Sequence, residues 1–187
     1  MTLNVRERAD TIGTLRHISV FAMETLARWV PTTPELEVKI VLGRHLWEFA
    51  QHADGLGRRT HELRAALHYS PAPTETYGEI LESWRALTAT TERVASLYDA
   101  VVPELETRYR AYLSATDVFL DEPSVRVVER NLTDLPRMVA ESRALREERP
   151  ELRNDGGAAA ALAARFGGCA EFVRFRAPVA TAAERLA

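Results

Sequence analysis

The stretch GRHLWEFAQH, residues 43–52, determines how the rest of this sequence is interpreted. Its polar residues His45, Glu48 and His52 recur at helical spacing, so a helix places them on one face. The same face carries the apolar residues Val38, Val41, Phe49 and Leu56. An unpaired buried polar group costs about 1–3 kcal/mol. Three such groups inside an apolar stripe therefore predict a partner on a facing helix, or a bound ion.

The periodicity of apolar residues on either side of this stretch is helical, and no strand pattern precedes the C-terminal part. The predicted long helices cover residues 5–30, 33–68, 91–114 and 123–149. A short helix is expected over residues 77–87. Pro31 should end the first long helix, Thr33 should cap the second, and Pro103 should kink the third. The Pro-rich residues 69–76, YSPAPTET, separate two hairpins, which predicts an all-α four-helix bundle with a long crossover and a C-terminal tail.

The composition of the chain changes after the fourth long helix. Residues 1–150 are predicted to form the helical bundle. Residues 151–187 form a Gly- and Ala-rich tail that contains the run NDGGAAAALAARFGGC. This tail is expected to dock on the bundle or to be partly disordered, and the sequence leaves both alternatives open.

Composition excludes several classes of protein. The chain has 187 residues, of which 46% are hydrophobic and 27% charged, as in an ordinary globular domain. A net charge of -3 argues against a nucleic-acid module, and no apolar run is long enough to span a membrane. The single cysteine, Cys169, excludes an internal disulfide. With no signal-peptide pattern, a cytoplasmic location is expected. Arginine almost entirely replaces lysine, which suggests a bacterial source with a GC-rich genome.

A metal ion would satisfy all three polar groups of the second helix. Two imidazoles and a carboxylate are ligand types of mononuclear iron, manganese or zinc sites. Further ligands would come from the facing helices, where Glu24 and Glu104 are the candidates. The same groups can also form a metal-free pocket or a purely structural hydrogen-bond network, and the sequence leaves these alternatives open.

The third and fourth long helices offer hydroxyls and few carboxylates to this site. Three tyrosines on the inward face of the third helix are able to donate hydroxyls to a buried network. They are Tyr98, Tyr109 and Tyr112. On the fourth helix the predicted inward stripe is Val125, Val128, Leu132, Leu135 and Val139. This stripe places Glu129 at its edge and predicts that Asp134 points away from the core.

Two hairpins with an inward HLWEFAQH on the second helix resemble the ferritin-like superfamily, especially its small bacterial members. The resemblance covers roughly residues 15–145, in the segments ETLARWVP, LGRHLWEFAQHADGL and ATDVFLDEPSVRVVERNLTDLPRM. It implies a ferritin-like bundle whose metal site uses one Glu from each of two helices and a Glu-x-x-His from each of the others.

The chain departs from this ligand pattern. His52 matches the histidine of the first motif, but Phe49 stands where its Glu belongs, with Glu48 one place out of register. The second motif would fall on Leu135 and Met138. His68 is the last histidine, so a second Glu-x-x-His is absent from the later helices. The resemblance therefore implies an atypical one-metal site, or a scaffold that has lost its metal and kept a polar pocket.

Three hypotheses about function follow. The leading one is an oxidoreductase, a non-haem oxidase or oxygenase of a small molecule, with His45, Glu48 and His52 as catalytic residues and ligands. Glu24 and Glu104 would complete the site, with iron or manganese as the cofactor. The alternative is a metal-free enzyme or binding protein that uses a buried His/Glu pocket, and therefore no cofactor. The third is an interaction protein that binds its partner through the tail. The oligomeric state is left open by the sequence, and Trp84 and the tail could support a homodimer.

Overall fold

The computed structural model describes residues 2–177, and in this range the protein contains helices and connections without any strand. The α-helices are α1 (Val5–Thr32), α2 (Leu36–Glu62), α3 (Glu75–Arg85), α4 (Thr90–Ser96), α5 (Val102–Ala115), α6 (Glu122–Glu148) and α7 (Ala158–Gly167). A π-helical turn, Leu97–Val101, joins α4 to α5, and a 3-10 turn, Pro150–Arg153, follows α6. The predicted all-α fold class is confirmed.

Four helices surround the core. The most extensive packing is between α1 and α2. Helix α2 also packs against α6, α6 packs against α5, and α5 contacts α1. The interior holds large apolar side chains from every one of these helices, among them Ile12, Leu15, Phe49, Leu105, Tyr109 and Leu135. At one end Trp29 meets Trp84 of α3 edge to face, with ring centroids 5.3 Å apart. This packing supplies the apolar burial that stabilises the bundle.

The second helix is shorter than its sequence pattern predicts. The prediction that Thr33 caps the second helix is wrong, since α2 begins at Leu36. Thr33 closes α1 instead, because both its backbone N–H and its hydroxyl donate to the carbonyl of Trp29. At the other end the chain turns back after Glu62, with φ of 62° at Arg64 and 57° at His68. The N–H of His68 donates to the carbonyl of Gly57 at 3.2 Å. A Cβ at position 57 would collide with the His68 ring, so the turn that brings His68 back against α2 requires a glycine at this position.

The third predicted helix is divided by the π-helical turn. Pro103 lies in the first turn of α5, and its ring and missing N–H disturb the preceding helical hydrogen bonds. The N–H of Val102 instead donates to the carbonyl of Leu97, five residues earlier. The kink expected at Pro103 therefore takes the form of a wider turn, and Tyr98 lies in that turn.

The tail packs on the bundle as far as the structure describes it. Helix α7 contacts α3, α4 and the π-helical turn. Arg176 binds the buried Asp10 of α1 through its backbone N–H, at 3.0 Å, and its guanidinium, at 2.6 Å. The rest of the predicted tail, residues 178–187, lies outside the described residues. Over residues 2–177, no helix has the length and apolar character needed to cross a membrane.

Candidate functional site

Two triplets of polar residues with the same spacing face each other across α2 and α6. The α2 triplet is the predicted one, His45, Glu48 and His52. The α6 triplet is Asp134, Arg137 and Glu141. His45 pairs with Glu141 at 3.2 Å, Glu48 with Arg137 at 2.5 Å, and His52 with Asp134 at 3.0 Å. The order of the partners along α6 is the reverse of the order along α2. The two helices are therefore antiparallel, and a seam of three polar side-chain pairs joins them.

His45 uses both of its ring nitrogens inside the protein. Its Nδ1 is 2.7 Å from the hydroxyl of Tyr98, and its Nε2 is 3.2 Å from Glu141 Oε2. Burial raises the pKa of Tyr98, so its hydroxyl stays protonated and donates a hydrogen bond to Nδ1. Burial also lowers the pKa of His45 to about 4, although the Glu141 carboxylate favours the charged form. His45 is therefore a neutral, fully engaged imidazole at pH 7.

Glu48 and Arg137 occupy the middle of the seam. Arg137 Nη1 lies 2.5 Å from Glu48 Oε1, and Arg137 Nη2 lies 3.0 Å from Asp134 Oδ1. These two ion pairs raise the pKa of Arg137 above its ordinary value. The second oxygen of Glu48, Oε2, is buried and has no hydrogen-bond partner among residues 2–177.

His52 differs from His45 because one of its nitrogens is unused. Its Nε2 is 3.0 Å from Asp134 Oδ2, whereas its buried Nδ1 has no partner in the described part of the chain. Burial lowers the pKa of His52 against the effect of Asp134, and the charges of Arg130 and Arg137 lower it further. Burial works to raise the pKa of Asp134, but hydrogen bonds from His52 and Arg137 hold it below its ordinary value. A neutral His52 thus donates from Nε2 to an ionised Asp134 and carries a free lone pair on Nδ1.

A solvent-open groove of about 560 Å³ lies beside His52, between α2 and α6. His52, Asn131 and Asp134 contribute to its inner wall. The other lining residues are Trp47, Glu48, Gln51, Asp54, Gly55, Arg58, Arg59, Glu62, Val127, Arg130 and Arg137. Acidic partners on the protein neutralise Arg58, Arg59 and Arg137. Arg130 forms no ion pair within residues 2–177, so it is available to an anionic ligand.

The two remaining predicted ligands, Glu24 and Glu104, bind arginines elsewhere in the structure. Glu24 is half exposed on α1, where its carboxylate lies 3.7 Å from Arg85. Glu104 accepts a 2.6 Å hydrogen bond from Arg108, one turn later on α5. Over residues 2–177, no three His, Cys, Asp or Glu side chains are grouped so that they could hold a metal ion.

The sequence pattern failed to identify the α6 triplet, and Arg130 in the groove, as site residues. The prediction that Asp134 points away from the core is wrong, because the buried face of α6 is turned by about 60° from the aliphatic stripe. Small polar residues complete that face, namely Ser124, Asn131 and Ser142, each of them buried. A signal was available in the sequence: residues 134, 137 and 141 repeat the spacing of residues 45, 48 and 52, with a hydrogen-bonding or oppositely charged partner for each.

Comparison with known proteins adds no family assignment, since the chain matches no family model, no curated protein and no solved structure. The function must therefore be argued from the geometry of the seam and the groove.

Proposed function

We propose that the groove between α2 and α6 binds a small molecule, and that His52, oriented by Asp134, acts there as a general base. One observation carries this proposal: a buried neutral imidazole has one nitrogen fixed on a carboxylate and the other without a partner, beside an open groove. A carboxylate that orients a histidine also stabilises the imidazolium formed when the histidine accepts a proton. The protein would be a metal-free enzyme or a binding protein.

The supported reaction class is proton transfer within one substrate. Nδ1 of His52 would take a proton from a carbon or hydroxyl group, and the bonding electrons would stay on the substrate. Asp134 would stabilise the resulting imidazolium, which then returns the proton to a different atom. Isomerisation, elimination and cyclisation all fit this sequence of steps. Arg130 favours a substrate with a negative charge, because its guanidinium is the one in the groove that has no ion pair within the described range.

Ligand binding is tested first by thermal shift with a panel of small carboxylates. At a concentration about ten times Kd, a ligand that binds the folded state should raise the Tm by about 4 °C. We expect the shift to disappear in His52→Gln and to survive in His61→Gln, which changes an exposed histidine on the same helix. Addition of a chelator should leave the shift unchanged. A shift that persists in His52→Gln would contradict the proposal.

A metal-dependent oxidase is the second candidate, and two buried donor atoms favour it. Glu48 Oε2 and His52 Nδ1 have no partners among the described residues and are one helical turn apart on α2. His45, Glu24 and Glu104 are not part of this ligand set, because both ring nitrogens of His45 bind other side chains and the two carboxylates pair with Arg85 and Arg108. Glu48 and His52 would hold iron or manganese, which would supply dioxygen activation. Elemental analysis of protein purified without chelators should then show metal that both Glu48→Gln and His52→Gln remove, and unchanged metal in His52→Gln would contradict this candidate.

We also propose a ferritin-like architecture for the bundle. Helices α1 and α2 form one long hairpin, and α5 and α6 form a second. The connection between them, residues 63–101, contains α3 and α4 and is long enough to serve as a crossover. The polar seam lies at mid-length of α2, where bundles of this class build their sites from facing helices.

A further inference from the structure

The α2 wall of the groove has a gap in its middle, at Gly55. Four of the α2 residues that line the groove stand seven and four residues before Gly55 and three and seven residues after it, namely Glu48, Gln51, Arg58 and Glu62. On a helix these five positions fall within about 60° of Gly55, on one face. The groove floor is therefore bare backbone between Gln51 and Arg58.

The packing of the bundle leaves room for a side chain at this position. A Cβ on residue 55 would lie 3.6 Å from Val127 Cγ1, which is an ordinary van der Waals contact. Position 55 is also in the interior of α2, where glycine is less favourable than any other residue except proline. What glycine provides here is open space in the groove, which a larger residue would fill.

Gly55 lies between the unused nitrogen of His52 and the guanidinium of Arg130. His52 precedes it on α2 by three residues and pairs with Asp134, whereas a Cβ on residue 55 would contact Val127. Position 55 therefore faces the part of α6 between residues 127 and 134, where Arg130 lines the groove. Burial lowers the pKa of His52, and the charge of Arg130 lowers it further, which agrees with a guanidinium close to the imidazole.

We propose that the groove binds short 2-oxo acids, with the carboxylate on Arg130, the carbon chain over Gly55 and C3 beside Nδ1 of His52. This assignment rests on the proposed function, because it takes His52 as the base. Arg130 is one helical turn from Asp134, the partner of His52, and a turn rises about 5.4 Å, close to the length of a four-carbon acid.

The carbonyl group at C2 makes the reaction possible. It lies next to the C3–H bond, and its oxygen accepts the bonding electrons when Nδ1 of His52 takes the proton. The product of this step is an enolate beside an imidazolium that Asp134 stabilises. The imidazolium then returns the proton to the enolate oxygen or to C3. No oxidant or second substrate is needed.

The charges of the groove favour a single carboxylate. The other arginines of the groove are paired with carboxylates of the protein, and they are Arg58, Arg59 and Arg137. Arg130 alone has no ion pair in the part of the chain that the structure describes. A second carboxylate on the ligand would therefore find no unpaired cation. The volume of about 560 Å³ is within the usual range for a small-molecule site.

The first test is the Kd of 2-oxobutyrate for the full chain, measured from chemical-shift changes of backbone amides. We expect 2-oxobutyrate to bind about tenfold or more tightly than the dicarboxylate 2-oxoglutarate. Arg130→Gln should weaken binding by a similar factor. Arg126→Gln is the matched control, because Arg126 pairs with Glu122 at 2.6 Å and does not line the groove.

The second test fills the gap. Gly55→Leu should weaken binding of 2-oxobutyrate about tenfold or more. Gly43→Leu is its control, since Gly43 is on the same helix but outside the groove, and a Cβ there would meet nothing within 4 Å. Both variants should raise the Tm by about 2–4 °C, because leucine favours the helix more than glycine. Only Gly55→Leu should affect binding.

The outcomes separate this assignment from the proposed function. Binding that is lost in His52→Gln but unchanged in Gly55→Leu, or equally weakened in Gly43→Leu, would overturn the role of Gly55. No binding of 2-oxobutyrate, while another small carboxylate binds and depends on His52, would overturn the substrate class and leave the proposed function standing. Binding of 2-oxobutyrate that survives His52→Gln would contradict the proposed function itself.

Discussion

Replacing Asp121 with alanine is expected to lower the free energy of unfolding by about 3–5 kcal/mol. Asp121 is fully buried where α5 leads into α6. It accepts hydrogen bonds from the hydroxyls of Tyr112, Thr116 and Ser124, at 2.5, 2.7 and 2.6 Å. It also accepts one from the guanidinium of Arg59 at 3.0 Å. Alanine would leave three buried hydroxyls and a buried cation without their shared acceptor.

Urea denaturation of the wild type and the variant measures this effect. Asp54→Ala is the matched control, since Asp54 forms an ion pair with Arg58 at 2.8 Å on the surface of α2. Exposed pairs of this kind contribute about 0.3–0.5 kcal/mol, so the control should remain close to the wild type. A loss below about 1 kcal/mol in Asp121→Ala would show that the network is not a stabilising element of the fold.

Acidification from pH 6.5 to pH 4 is expected to destabilise the protein by about 3 kcal/mol through His45 alone. Its pKa is about 4 in the folded protein, compared with an ordinary value of 6.5. Between pH 4 and pH 6.5, His45 is mostly protonated in the unfolded chain and mostly neutral in the folded protein. The stabilisation is therefore fully present above pH 6.5 and is lost as the pH falls toward 4. The lowered pKa values of His52 and His17, both caused mainly by burial, act in the same direction.

The pH dependence is measured as the free energy of unfolding at several pH values within this window. His45→Gln should reduce the slope, because glutamine binds no proton in either state. His61→Gln, which changes an exposed histidine of α2, is the matched control variant. An identical slope in His45→Gln and the wild type would contradict the assignment of a neutral, buried His45.

The all-α class and the position of the polar cluster on α2 follow from sequence periodicity alone. The apolar spacing of α1, α2 and α6 is regular, and prolines and turn residues mark the connections. The pattern also predicts that His45 and His52 face inward, and both are buried. The pattern predicts the end of α2 poorly. The chain turns back there because the N–H of His68 donates to the carbonyl of Gly57, and this contact is not visible in the periodicity.

The partners of the α2 residues were harder to predict for a physical reason. The position of an inward face is judged from aliphatic residues, but α6 buries Ser124, Asn131 and Ser142 in place of aliphatic side chains. This turns α6 so that Asp134 and Glu141 reach α2. Tyr98, in contrast, lies on the inward face that the sequence pattern predicts, and its hydroxyl bonds His45. The rotation of α6 depends on packing between helices, which a helical projection of one segment does not contain.

The protonation state of His52 tests the central claim most directly, and it needs no knowledge of the ligand. Long-range proton–nitrogen correlation spectra of the full chain at pH 7 distinguish both tautomers and the charged ring. We predict a neutral His52 with its proton on Nε2, toward Asp134, and a bare Nδ1. Asp134→Asn should remove this preference, since the carboxylate fixes the tautomer. A His52 ring that is charged at pH 7, or that carries its single proton on Nδ1, would contradict the account.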